Sequence, residues 1–168
     1  MITIYRRYIF RIFILLIFSF FSINVGATDV NRNKAFAGFI KHIHSNTKTV
    51  RGGSDFCIFG SDEVSLRIKS MANKNFVDLG DEIDYDKDYS NCRVIYIAKN
   101  KEKEAKYSVN FFNDKGALTI AIFPSFISDG GMMSIDIGRR NFELLVNDMV
   151  LKKFGVKIDS SIAALIVE

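Results

Sequence analysis

Residues 130–166, GGMMSIDIGRRNFELLVNDMVLKKFGVKIDSSIAALI, decide how this chain folds. Apolar and polar residues alternate over 132–137 and again over 142–146, which predicts two strands. The four residues 138–141 between them contain glycine and asparagine and suit a turn. This part of the chain therefore predicts an antiparallel hairpin, opened by a pair of glycines.

A short helix is predicted directly after the hairpin. Asn147 is a typical N-cap residue, and Gly155 follows Phe154 in the position that a helix C-terminus favours. Asp159 then begins a last helical turn. None of these residues has the spacing of a catalytic motif. The stretch therefore predicts a structural role and no active site.

The upstream sequence predicts a sheet covered by helices. Short, continuously apolar stretches are typical of strands that are buried on both faces. They occur at 56–59, 93–98 and 117–123, with a weaker strand at 76–79. Amphipathic segments at 29–43, 61–72 and 101–112 predict the helices. This alternation predicts a three-layer, Rossmann-like α/β domain of about five or six strands, mostly parallel, with the C-terminal hairpin antiparallel.

Residues 1–27 have the pattern of a secretory signal peptide. Three arginines precede an apolar run of about 12 residues, and the small residues up to Ala27 are typical of a cleavage site. The alternative is an uncleaved anchor, but a membrane span needs roughly 18–20 apolar residues. We therefore expect cleavage near Ala27, export to the periplasm, and one domain over 28–168.

The charge of the chain gives no reason to expect nucleic-acid binding. The full sequence has 23 basic and 19 acidic side chains, hence a net charge of +4. Removing the three leader arginines leaves 20 basic against 19 acidic side chains, or +1. The basic character therefore belongs largely to the leader.

The two cysteines, Cys57 and Cys92, are expected to form a disulfide in an oxidising compartment. The alternative is a pair of buried free thiols that pack as small apolar side chains. Their spacing does not fit a CxxC redox motif or a zinc site.

The remaining polar motifs do not build an active site. His42 and His44 are the only histidines, too few for a zinc site without other ligands. Residues 60–63, GSDE, follow a strand but lack a phosphate-binding glycine pattern. The aspartates over 84–88 resemble a calcium loop, but the glycine and glutamate that the loop requires are missing. We therefore expect no enzyme, no metal and no cofactor.

Several segments together resemble the YfiR family of periplasmic proteins. The C-terminal ones are GGMMxI from Gly130, NFELxVN from Asn141 and FGVxIxS from Phe154. The upstream segments 36–40, 56–60 and 92–97 are similar to the family's aromatic helix and its two cysteine-bearing strands. Two features depart from the family: the Trp-Pro after the first helix is absent, and so is a second cysteine pair.

The resemblance implies a non-enzymatic periplasmic regulator. Family members repress an inner-membrane diguanylate cyclase by binding its periplasmic sensor region, which lowers cyclic di-GMP and biofilm formation. An outer-membrane lipoprotein releases the cyclase by sequestering the repressor, and members are typically dimers. These partners and the homodimer are expectations for this chain.

The hairpin supplies the candidate partner-binding residues: Arg139, Arg140, Phe142 and Glu143. Arginine and phenylalanine are common interface anchors. The alternative for Phe142 is burial in the core. Two other functions stay open, a small-molecule-binding module with its site near Gly60 and Ala98, and an exported hydrolase.

Overall fold

A computed structural model describes residues 25–49, 53–71, 76–137, 142–159 and 162. The strands are β1 (Thr47–Lys48), β2 (Asp55–Phe59), β3 (Phe76–Asp78), β4 (Cys92–Ile97), β5 (Leu118–Ala121), β6 (Met133–Ile137), β7 (Phe142–Val146) and β8 (Lys157–Ile158). The helices are α1 (Val25–Ser45), α2 (Glu63–Met71), α3 (Ala105–Asp114), α4 (Ser125–Ser128) and α5 (Asp148–Phe154), with a 3₁₀ helix at Lys99–Glu104 before α3.

Six strands form the main sheet, in the order β3-β2-β4-β5-β6-β7. All neighbours are parallel except β6 and β7, which form an antiparallel hairpin. The connections between parallel neighbours contain helices: α2 lies between β2 and β3, α3 between β4 and β5, and α4 between β5 and β6. The predicted fold class is confirmed in strand number, in strand direction and in the antiparallel C-terminal hairpin.

Each face of the sheet carries its own apolar core. On one face, Phe56, Ile58 and Tyr96 pack with α1 and α2. On the other, Phe59, Ile95 and Ile97 pack with α3. Successive residues of a strand point to opposite faces, so a continuously apolar strand supplies both cores. The result is the expected three-layer arrangement.

The ends of α5 follow the sequence prediction closely. The side chain of Asn147 accepts a hydrogen bond from the backbone N–H of Val150 at 3.2 Å. Gly155 has a φ of 66°, and Val156 N–H donates to the carbonyl of Leu151 at 3.0 Å. Glycine adopts this left-handed conformation without strain, which explains its place after the helix.

Two local features differ from the predictions. Strands β1 and β8 pair to form a separate two-stranded antiparallel sheet, although the sequence predicted a strand at neither position. The first part of the helix predicted at 101–112 is instead the 3₁₀ helix. Lys101 lies in this 3₁₀ helix, and its side chain is largely buried. A lysine on a regular surface helix is usually exposed.

Candidate functional site

The hairpin places Glu143 on the surface. Glu143 is exposed and lies directly opposite Asp136 in the register of β6 and β7. Facing carboxylates repel each other, so a basic partner at this position would relieve an unfavourable interaction. Arg139 and Arg140 lie outside the described residues, and so does the side chain of Phe142. The structure therefore locates the hairpin without testing the predicted contacts of these three residues.

A disulfide joins Cys57 of β2 to Cys92 at the start of β4, with the two Cα atoms 5.7 Å apart. The register shifts here, since Asp55 pairs with Cys92 but Phe56 pairs with Val94. The extra residue in β4 brings Cys92 to the same face of the sheet as Cys57. Strict alternation along β4 would have placed Cys92 on the opposite face from Ile95.

The carboxyl ends of β2 and β4 form the topological switch point of the sheet, where α/β folds commonly bind ligands. Here Asn100 joins the segments that follow β2 and β3. Its Oδ1 accepts a hydrogen bond from Ser61 N–H at 2.9 Å, and its Nδ2 donates to Asp81 at 3.1 Å. Gly60 has a φ of 87°, and any Cβ there would collide with Asn100 and Lys101. At Gly60, where a small molecule was predicted to bind, the backbone is therefore in close contact with Asn100 and Lys101.

Asp62 completes this closed corner. One carboxylate oxygen accepts from Ser65 N–H at 2.7 Å, which caps α2. The other accepts from Tyr96 Oη–H at 2.8 Å and Lys99 N–H at 2.7 Å. Burial raises the pKa of Tyr96 well above 10, and the adjacent Asp62 charge adds to the shift. Tyr96 is therefore a structural donor at physiological pH.

His44 has a structural environment. Its Nε2 donates to the carbonyl of Ser54 at 3.1 Å, and its ring packs edge-on against Phe56 with centroids 5.5 Å apart. Burial lowers the pKa of His44 below 6.5, although the bond to Ser54 opposes the shift. The described part of the chain contains no group of three or more His, Cys, Asp or Glu side chains arranged to hold a metal.

The acidic connection between β3 and β4 is a series of tight turns. Asp84 accepts from the backbone N–H of Asp86 at 3.1 Å, and Asp88 accepts from that of Ser90 at 2.8 Å. Tyr89 anchors the connection, because the residue is 3% exposed and its ring packs edge-on against Phe111 and Phe112.

A cleft that the sequence did not reveal lies between this connection and α3. Its volume is about 270 Å³, and its apolar wall includes Phe59. Three carboxylates line it, from Asp81, Glu82 and Glu104, and so do two tyrosines, Tyr85 and Tyr107. These residues come from β2, the acidic connection, the 3₁₀ helix and α3. No spacing in the sequence predicts that they meet.

The sequence over nearly the whole of this domain matches a known family. The model of the family described as YfiR/HmsC-like matches residues 32–165. The chain belongs to the YfiR/HmsC-like family. This confirms the resemblance carried by the glycine pair, the Asn-Phe-Glu strand and the two cysteine-bearing strands. Among the described residues, no helix is long and apolar enough to cross a membrane.

The fold is similar to that of a solved structure. That structure is the crystal structure of a conserved domain protein from Vibrio cholerae O1 biovar El Tor, with a TM-score of 0.58 and 10% sequence identity. The match covers 80% of this chain but 59% of that one, so this chain spans about three fifths of its length. At this identity the similarity concerns the fold alone. No curated protein matches this sequence significantly.

Proposed function

We propose that this protein is a non-enzymatic periplasmic regulator. It binds the periplasmic part of an inner-membrane diguanylate cyclase and represses cyclic di-GMP synthesis. The observation that carries the proposal is membership of the YfiR/HmsC-like family over residues 32–165. The leader pattern at residues 1–27 and the Cys57–Cys92 disulfide agree with an oxidising compartment.

The hairpin is the proposed contact surface. Glu143 is exposed and faces Asp136, so this side of the hairpin carries an acidic pair. Arg139 and Arg140 stand between the two strands in sequence. A surface with both signs of charge can fix the orientation of a partner by electrostatic complementarity. The hairpin ends the sheet, with β7 as its outermost strand.

The test compares cyclic di-GMP, measured by mass spectrometry, in strains that carry different forms of the gene. Deletion should raise cyclic di-GMP and biofilm formation, and complementation with the wild-type gene should lower both to their original levels. The variant with Arg139→Ala and Arg140→Ala should not lower them, although it accumulates normally in the periplasm. A matched control is Lys152→Ala with Lys153→Ala, which removes two exposed cations from α5.

Capture of the partner completes this test. Cross-linking in whole cells should recover an inner-membrane protein with a cyclase output domain, and the arginine variant should recover less of it. Unchanged cyclic di-GMP in the deletion strain, together with no cyclase recovered, would overturn the proposal.

Three further expectations form part of the proposal. The leader is removed near Ala27, which the N-terminal mass of the periplasmic protein would reveal. The chain forms a homodimer, which light scattering would detect. An outer-membrane lipoprotein sequesters it, and deletion of that lipoprotein should lower cyclic di-GMP because more repressor stays free.

A further inference from the structure

The cleft between the acidic connection and α3 has two exposed aromatic walls. Tyr85 is 63% exposed and Tyr107 is 75% exposed, and they are the exposed tyrosines of the described chain. The ring of Tyr85 is held edge-on against Phe111, with centroids 5.0 Å apart. Exposed aromatic rings beside a cavity offer faces that attract cations. The two tyrosines therefore leave an aromatic surface open to a ligand.

The protein already places one ammonium group at this cleft. The Nζ atom of Lys101 lies 5.4 Å from the centre of the Phe59 ring. It also lies 3.5 Å from Glu104 Oε2 and 3.9 Å from Asp81 Oδ1. The side chain of Lys101 is 11% exposed, so this group is held inside the wall. The same surroundings, an aromatic face with carboxylates, suit a second cation.

Negative charge remains after Lys101 is counted. Asp81, Glu82 and Glu104 supply three carboxylates against one ammonium. The acidic connection continues with three more aspartates and a single lysine up to Asp88. The exposed cations near the start of α3, Lys103 and Lys106, are not among the residues that line the cleft. The cleft therefore favours a positively charged occupant.

The cleft is large enough to accept one long side chain. Pockets for small organic ligands usually enclose roughly 300–1,000 Å³, and this one is about 270 Å³. We propose that the cleft binds the guanidinium or ammonium group of an arginine or lysine side chain on a partner protein. Tyr85 and Tyr107 then pack along the aliphatic part of that side chain, as tyrosines commonly do in interfaces. This docking is independent of the cyclase assignment.

The test uses the full chain, labelled with ¹⁵N, and short capped peptides. The probes are Gly-Arg-Gly amide and Gly-citrulline-Gly amide, which have nearly the same shape but differ in charge. The arginine peptide should produce saturable shifts at the amides of Glu82, Tyr85, Tyr107 and Ser108, and the citrulline peptide should not. Raising the salt concentration should weaken the binding, because the carboxylates are partly exposed.

Variants then assign the effect to the cleft. Glu82→Gln with Glu104→Gln should weaken binding of the arginine peptide about tenfold. Tyr107→Ala should weaken it as well. The matched control is Asp114→Asn, which removes an exposed charge at the far end of α3 and should leave binding unchanged. Spectra of the free variants establish that each one is folded.

Three results would overturn the proposal. Equal shifts from the citrulline peptide would mean that charge does not drive binding. Tighter binding of free agmatine than of the peptide would make the cleft a small-amine site instead of a docking site. Absence of saturable shifts at the four cleft amides would show that no basic side chain binds there.

Discussion

Asp62 is the residue on which the switch-point corner depends. Its carboxylate accepts three hydrogen bonds, from Ser65, Tyr96 and Lys99. The sequence predicted a helix over residues 61–72, and a carboxylate at its start is a typical cap. The sequence could not predict the other two partners, because they lie 34 and 37 residues away. Capping is a local pattern, whereas contacts across the sheet depend on which strands become neighbours.

Replacing Asp62 by alanine should destabilise the protein by about 2–4 kcal/mol, since it removes a cap and leaves the hydroxyl of the buried Tyr96 without its acceptor. Tyr96→Phe removes one of the three bonds and should cost about 1–2 kcal/mol. Chemical denaturation followed by circular dichroism measures both. Asp114→Asn is the surface control. A loss below about 0.5 kcal/mol for Asp62→Ala, the range of ordinary surface substitutions, would contradict the proposed network.

His44 makes the stability of the protein depend on pH. Its pKa is lower in the folded chain than the ordinary 6.5, chiefly because burial disfavours the charged ring. Between these two pKa values the unfolded chain binds more protons, so stability is full above about pH 7 and falls as the pH drops below 6.5. His44→Gln should flatten the dependence of the melting temperature between pH 7 and pH 5. His42→Gln, at an exposed position, should retain the wild-type dependence, and an equal flattening there would contradict the assignment.

At the scale of the elements, local patterns predicted most of the fold. The apolar stretches became β2, β4 and β5 because both faces of these strands are buried, and Asn147 and Gly155 end α5 as expected. The β1–β8 pair was not predicted, because each of these strands has only two residues. Two residues are too few to show the alternation of apolar and polar side chains that identifies a strand. The cleft was missed for a similar reason, because its lining comes from four separate segments.

The disulfide fixes the start of β4 to β2. It closes a loop with a sequence separation of 35 residues, and the loop-entropy model gives about 4 kcal/mol of stabilisation for that length. Cys57→Ala with Cys92→Ala should therefore lower the free energy of unfolding by about that amount. A mobility shift on non-reducing gels should separate oxidised from reduced wild type. An unchanged melting temperature on reduction would mean that the two thiols act only as buried apolar groups.

At the scale of the whole molecule, the strand order places the hairpin and the cleft at the same end of the sheet. Strands β2, β4, β5 and β6 are parallel, so their carboxyl ends point the same way. Phe59 of the cleft ends β2, and Ile137 ends β6 just before the hairpin turn. Three interstrand spacings of roughly 4.8 Å separate these strands, about 14 Å in all.

This arrangement allows one partner to cover both surfaces. An interface commonly buries about 800 Å² on each protein, a patch roughly 30 Å across, which exceeds the separation of β2 and β6. We therefore expect Glu82→Gln with Glu104→Gln to raise cyclic di-GMP in the complemented deletion strain, in the same direction as the hairpin variant. Asp114→Asn should repress like the wild type. If the cleft variant no longer bound the arginine peptide yet repressed cyclic di-GMP normally, the cleft would contact a different protein from the hairpin. A partner that contacts both surfaces should bind more weakly when either surface is altered.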